Sequence, residues 1–203
     1  AMGKRVVATD FLLFAATLAK ATVENGRRQL DSQAIKKLFR ARPSEVPGFV
    51  EKTFSGIFFT PDDLRFIDRV WAGIRSLEDK HQQNLARAAL IRACLKRQPR
   101  GVFTVSGDLS KYDDGRRDLK LSIEEHFLEQ IETFNAVVFD NSRRNYARQC
   151  DVFDARTERV DLVYLDPPYV PRSDDNCYIK RYHFLEGLSC YWQGVEIDES
   201  TKV

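Results

Sequence analysis

Asp161-Leu162-Val163-Tyr164-Leu165-Asp166-Pro167-Pro168-Tyr169 is the stretch on which the fold reading turns. Residues 162–165 are apolar throughout and flanked by helical patterns, which predicts a parallel strand buried on both faces. Such a strand delivers a carboxylate, two prolines and an aromatic ring to the carboxyl edge of a sheet, where open α/β sheets bind their ligands. Each proline fixes φ and lacks an N–H donor, so the corner has a stiff backbone whose carbonyls form a preset array of acceptors.

Working outward, Ala136-Val137-Val138-Phe139 reads as another strand and Asp151-Val152-Phe153 as a short one. Before them, Ser122-Ile123-Glu124-Glu125 is a capping box opening a helix through Phe127, Leu128, Ile131 and Phe134. At the start, Arg5-Val6-Val7-Ala8-Thr9-Asp10 reads as a strand that leads into a helix from Phe11, with Gly26 as its stop. A second stripe, Leu30, Ala34, Ile35, Leu38 and Phe39, is closed by Pro43 and Pro47. In the middle, Thr60-Pro61-Asp62-Asp63 supplies a cap, a first-turn proline and acids for a helix whose buried face is Leu64, Ile67, Val70, Trp71, Ile74 and Leu77. Residues 85–95 form a further helix with a basic end of Arg92, Lys96, Arg97 and Arg100, and residues 101–117 read as irregular loop. Strand–helix units at both ends with helices between them predict an α/β sheet interrupted by an α-helical insertion: a core of residues 1–41 and 135–203, and an insertion of residues 42–134.

The 203 residues are 43% apolar, enough for one buried core, and 32 basic residues nearly balance 30 acidic ones, so any polyanion partner must be met by local patches. Three such groups stand out: Arg92/Lys96/Arg97/Arg100, Lys111/Arg116/Arg117 and Arg143/Arg144/Arg148. The four cysteines form no CxxC pair and there are only three histidines, so no metal site is expected. No apolar run nears the ~20 residues that span a bilayer, and no signal-like leader follows Met2. We therefore expect a cytoplasmic protein without a membrane segment or structural metal; no feature sets its oligomeric state.

Asp166-Pro167-Pro168-Tyr169 and its strand resemble the catalytic motif of amino-methylating DNA methyltransferases, more closely the adenine-specific D12 class, which carries it late in the chain. The stretch from Phe59 through Thr60-Pro61-Asp62 to Ile67-Asp68 resembles that class's turn before a helix bearing an Ile-Asp pair, and Tyr182-His183-Phe184-Leu185-Glu186 resembles the segment after its catalytic loop. The resemblance implies a Rossmann-like, S-adenosylmethionine-dependent sheet whose helical insertion carries target recognition, and transfer of methyl to the N6 amine of adenine in double-stranded DNA. It implies that Asp166 and the Pro167 carbonyl accept the amine hydrogens while Tyr169, beside Pro168, stacks on the adenine turned out of the duplex. It further implies cofactor contacts from Asp10, Phe11, Asp151 and Asp166. Tyr178, Lys180 and Arg181, just past the catalytic loop, and Arg116 and Arg117 are the expected DNA contacts.

Other readings stand beside these. Asp10 equally suits a cap for the helix after it, and Asp151 an ordinary strand-end acid. The class's glycine-rich cofactor motif is absent, since no two of the ten glycines are spaced Gly-x-Gly, so the sheet is expected to lack its first strand and loop. A non-catalytic DNA-binding remnant is therefore one alternative, and methylation of cytosine N4, an RNA adenine or a glutamine amide is another; Asp at the first motif position leans toward adenine.

Overall fold

Among the described residues, two runs of this chain become strands. In a computed structural model, which describes residues 3–101, 103, 114–156, 159–166 and 178–198, β1 (Val7–Asp10) and β2 (Tyr146–Gln149) lie side by side in parallel, Val7 opposite Tyr146 and Asp10 opposite Gln149. Parallel neighbours cannot be joined by a tight turn. The connection here runs through α1 (Leu13–Ala19), α2 (Ser32–Leu38), α3 (Phe49–Phe54), α4 (Pro61–Arg75), α5 (Lys80–Arg97), α6 (Arg117–Lys120) and α7 (Ile123–Ala136); α8 (Tyr178–Cys190) follows β2.

The helices start where short polar side chains meet bare N–H groups. Thr60 accepts from Asp63 N–H at the head of α4, Asp31 accepts from Ala34 N–H at α2, and the Ser122/Glu125 capping box of α7 is complete in both directions. Asp79 accepts from the N–H groups of His81 and Gln82, so α5 begins well before the stretch expected from its apolar residues. Beyond α1 the helix widens into a π turn, Lys20–Glu24. The stop there is the buried Asn25 rather than Gly26, which has no positive φ: the Asn25 side chain accepts from Arg28 N–H (2.9 Å) and donates to the Arg28 carbonyl (2.8 Å).

Three helices are also capped from elsewhere in the fold. The buried Asp68 of α4 accepts from the N–H groups of Val50 and Glu51 (both 3.0 Å) at the start of α3, which has no cap of its own. Asp63, also buried, accepts from Ile123 N–H (2.9 Å) at α7 and pairs with Arg97 (3.1 Å). Glu186 of α8 accepts from Leu13 N–H (2.7 Å) and Phe14 N–H (3.0 Å) at α1. Each carboxylate meets unpaired donors at the positive end of a helix dipole, so these contacts fix how the helices pack as well as where they begin.

The apolar faces of α4, α5, α7 and α8 close on one another in a single core that includes residues of both the expected insertion and the expected catalytic part. Rings dominate one end of it: Phe103 stacks on Phe184 at 4.8 Å, and Phe54 meets Phe184 and Trp192 at 5.1 and 5.0 Å. Gly73 lets α4 touch α2, because a Cβ there would sit 2.1 Å from the Leu38 carbonyl oxygen. Gly73→Ala must push the two helices apart; we expect a loss of about 3 kcal/mol, as for other overpacked cores, measured as a lowered urea midpoint.

Three expected strands are not strands. The capping box and the phase of Ile123, Phe127, Ile131 and Phe134 carry α7 through Ala136, leaving Val137 and Phe139 exposed. Asp151 accepts from Phe153 N–H (3.0 Å) and caps a 3-10 turn, Val152–Asp154, where the strand was expected. Residues 161–165 form no strand pairing with any described residue, and Leu162 and Tyr164 are 85% and 84% exposed. A run of this kind becomes a strand only beside a neighbour that takes its hydrogen bonds. Tyr146 N–H and Cys150 N–H point to β1, so that of Ala147 points away from it, where the Glu24 carboxylate accepts it (2.9 Å) and blunts that edge of β2. The expected buried strand before Asp166 is thus absent among the described residues, and Pro167, Pro168 and Tyr169 lie outside them. No helix among the described residues is long and apolar enough to cross a membrane, and none of their His, Cys, Asp and Glu side chains group as a metal site.

Candidate functional site

The two strands end together, and each ends in an aspartate followed by exposed rings. The Asp10 carbonyl accepts from Cys150 N–H (2.8 Å), which sets Asp151 next to Asp10 at the carboxyl edge of the sheet. Asp10 Oδ1 accepts from Leu12 N–H (2.8 Å) and Asp151 Oδ1 from Phe153 N–H (3.0 Å). Each carboxylate therefore spends one oxygen on its own turn and keeps the second free of any bond to a described residue; the Asp10 bond falls on Leu12, ahead of α1, so Asp10 does not cap that helix. The turns they shape present Phe11 and Phe153 outward, 69% and 94% exposed. Gln149 Nε2 donates to the Phe11 carbonyl (2.9 Å) and ties the two strand ends together.

Beside this edge an open cleft of about 540 Å³ lies between α1, the end of α5 and the start of α8. Asp10, Phe14, Arg92, Lys96, Tyr178 and Tyr182 line it, and Arg116 stands on its rim. The rings form a ladder, Tyr178 to Tyr182 at 5.8 Å and Tyr182 to Phe14 at 5.4 Å. Lys96 pairs with Asp118 (3.2 Å), whereas Arg92 is exposed and has no partner among the described residues. An apolar aromatic wall with cations at its mouth suits a flat heterocycle attached to a phosphate chain.

The structure thus brings Asp10, Tyr178 and Arg116 to one cleft, with Phe11 and Asp151 on the adjoining edge. Asp166 it leaves apart: the side chain is exposed, bonds to no described residue and does not line the cleft. Arg116 is tied to Asp114 (2.7 Å), which holds that carboxyl below its ordinary range. Arg117 lies flat against Glu129, whose carboxyl is likewise pulled down by the guanidinium. Lys180 is exposed, and the half-buried Arg181 accepts from Phe103 N–H (3.1 Å) through its carbonyl.

Phe14 and Glu186 are the residues that sequence reasoning missed. Tyr182 and Glu186 stand one helical turn apart on α8 and face α1 together, the ring on Phe14 and the carboxylate on the first N–H groups of that helix. That gives the segment from Tyr182 to Glu186 a physical role: it clamps α8 to the helix that begins just after Asp10. The spacing was visible, but its partner, 173 residues away, was not.

Comparison with known proteins now bears on the site. The profile of the family described as D12 class N6 adenine-specific DNA methyltransferase matches residues 1–191. The chain is 32% identical over 179 residues to the Type II methyltransferase M2.HphI of Haemophilus parahaemolyticus, an alignment covering 82% of this chain and 53% of that protein. The chain thus spans about half the length of this relative. No solved structure matches. A profile match across nearly all of the 203 residues, together with the motif ending in Tyr169, means that this chain belongs to the D12 class of N6 adenine-specific DNA methyltransferases.

Proposed function

We propose that the protein methylates the N6 amine of adenine in double-stranded DNA with S-adenosylmethionine as donor, on a Rossmann-like core of residues 1–41 and 135–203 whose insertion, residues 42–134, reads the target. The carrying observation is the pair of adjacent parallel strands that end in Asp10-Phe11 and Asp151-Val152-Phe153. The residues fit the cofactor: a nucleoside needs acceptors for its hydroxyl and amine hydrogens and rings for its base, and each carboxylate has an oxygen to spare beside an exposed ring. Asp10 holds ribose hydroxyls, Asp151 contacts the adenine ring, and Phe11 packs on that ring. When bound, S-adenosylmethionine supplies an electrophilic sulfonium methyl.

Adenine's exocyclic nitrogen is a poor nucleophile because its lone pair is delocalised. Asp166 and the Pro167 carbonyl accept its two hydrogens and favour the pyramidal form, which localises the lone pair; Tyr169 stacks on the extruded base. Asp166 or water takes the proton that the methylated amine sheds. This requires residues 161–165 to be held along the sheet, so that Asp166 reaches the edge carrying Asp10. Tyr178, Lys180, Arg181, Arg116 and Arg117 face the DNA, and the reaction runs in the cytoplasm.

A second reading has its own observation. The run before Asp166, which pairs with no strand among the described residues, and the lack of any Gly-x-Gly favour a chain that binds DNA without transferring methyl. Calorimetry with S-adenosylmethionine separates the two. Binding by the chain, weakened about 10- to 100-fold in Asp10→Ala by loss of charge-assisted hydrogen bonds, supports the enzyme; absence of heat from the intact chain supports the remnant.

A further inference from the structure

At the opposite, amino end of the same sheet lies a second groove, of about 810 Å³, lined by Lys4, Arg5, Arg143, Arg144, Tyr146 and Asp161. It is built from two segments sewn together by side chains. Asn141 Nδ2 donates to the Lys4 carbonyl (2.9 Å), Arg143 Nε to the Gly3 carbonyl (2.9 Å), and Val6 N–H to Asn145 Oδ1 (3.0 Å). Ser142 sits at φ 58°, in the left-handed region, and is held there by its N–H bond to Asp140 (2.7 Å). Arg144 rests over the Tyr146 ring at 5.1 Å. The two dipeptides Lys4-Arg5 and Arg143-Arg144 therefore flank the groove on a preset frame rather than trailing from free loops.

Some cations of the surface are ion-paired and others, such as Arg92 and Arg148, have no such partner among the described residues; the groove gathers four of the latter kind side by side. Elsewhere, Arg28, Arg65, Arg69, Lys96, Arg97, Arg116 and Arg117 all lie within ion-pair distance of a carboxylate. None of Lys4, Arg5, Arg143 and Arg144 does so among the described residues. Asp161, the carboxylate that lines the groove, pairs with none of them, and the nearby Asp140 is bound to Arg27 (2.9 Å). In a protein of formal charge +2, four cations with no ion-pair partner among the described residues, set against the single carboxylate of Asp161, make this groove locally positive.

We infer that this groove holds backbone phosphates of duplex DNA on the side of the sheet opposite the cofactor edge. The strands between the two edges are four residues long, about 10 Å, a distance that roughly three base pairs of duplex cover at 3.4 Å each. One duplex engaged at the carboxyl edge can therefore also meet the groove. Contacts there are to phosphate, so they add affinity and orientation without reading sequence. The inference rests on duplex DNA being the protein's substrate.

The test is the salt dependence of binding, read by fluorescence anisotropy with the whole chain and a labelled duplex of about 30 base pairs over roughly 50 to 200 mM salt. Arg143→Gln/Arg144→Gln should weaken binding about tenfold or more at the upper end and make the slope of log K against log salt shallower by about 2. Lys4→Gln/Arg5→Gln, which leaves Arg144 on Tyr146, should do the same, so a folding defect in one pair does not decide the matter. Lys36→Gln/Lys37→Gln removes two charges from α2, outside the insertion and both clefts, and should leave the slope unchanged. An unchanged slope in both groove pairs overturns the inference, as does a groove-dependent preference for duplex RNA over DNA. The two readings fail separately: no methylated base alongside groove-dependent DNA binding would sink the methylation reading and leave the groove standing.

Discussion

Asp166→Ala is expected to lower methyl transfer to DNA about 10³-fold or more, the scale on which enzymes lose rate when a preorganised group facing the reacting atoms is removed. The proposed role of the carboxylate is to accept hydrogen from an amine whose lone pair must localise as the methyl arrives, an interaction stronger in the transition state than in the ground state. Loss should accordingly fall mainly on kcat, with S-adenosylmethionine affinity falling much less, since Asp10 and Asp151 remain. Asp166→Asn keeps one carbonyl oxygen in place and should retain more activity than alanine. Single-turnover rates for the two variants check this order, and equal activity in wild type and Asp166→Ala would remove the proposed chemistry altogether.

The largest expected effect on stability is at Asp68. Its carboxylate accepts from Val50 N–H and Glu51 N–H and from the Tyr191 hydroxyl, and it is almost wholly buried. Burial, and next the hydrogen bond to Asp68, push the Tyr191 hydroxyl well above the ordinary phenol range, so it stays a donor. Asp68→Ala strands these donors and removes the side chain that caps α3, so we expect a loss of about 3 to 5 kcal/mol, as when one partner of a buried charged contact is deleted. Tyr191→Phe removes a single bond and should cost about 1 kcal/mol. Urea unfolding with an unchanged m value checks both; a loss under about 1 kcal/mol for Asp68→Ala would show that α3 is held by its apolar face alone.

How legible each element was follows from the range of the forces that make it. The heads of α4 and α7 were readable because Thr60 and Ser122 cap N–H groups three residues on. β2 was not, because Tyr146-Ala147-Arg148-Gln149 has no alternation of its own and is extended only because β1 lies beside it. The same dependence explains the opposite error at residues 136–139 and 161–165, where apolar content is high but no strand partner is present among the described residues. Asp10 was placed correctly at a strand end, whereas Glu186 acts on a helix 173 residues away. A better signal was available for Asp63 and Asp68. Both interrupt the apolar face of α4, and a carboxylate on a buried face requires a partner.

The central claim is that the protein places a methyl group on the N6 amine of adenine. Its most direct test is nucleoside analysis of duplex DNA after incubation with the full-length protein and methyl-labelled S-adenosylmethionine. Label is expected in N6-methyladenine and should be lost in Asp166→Ala. Label in N4-methylcytosine, or unlabelled DNA from a protein that binds both cofactor and duplex, would contradict it.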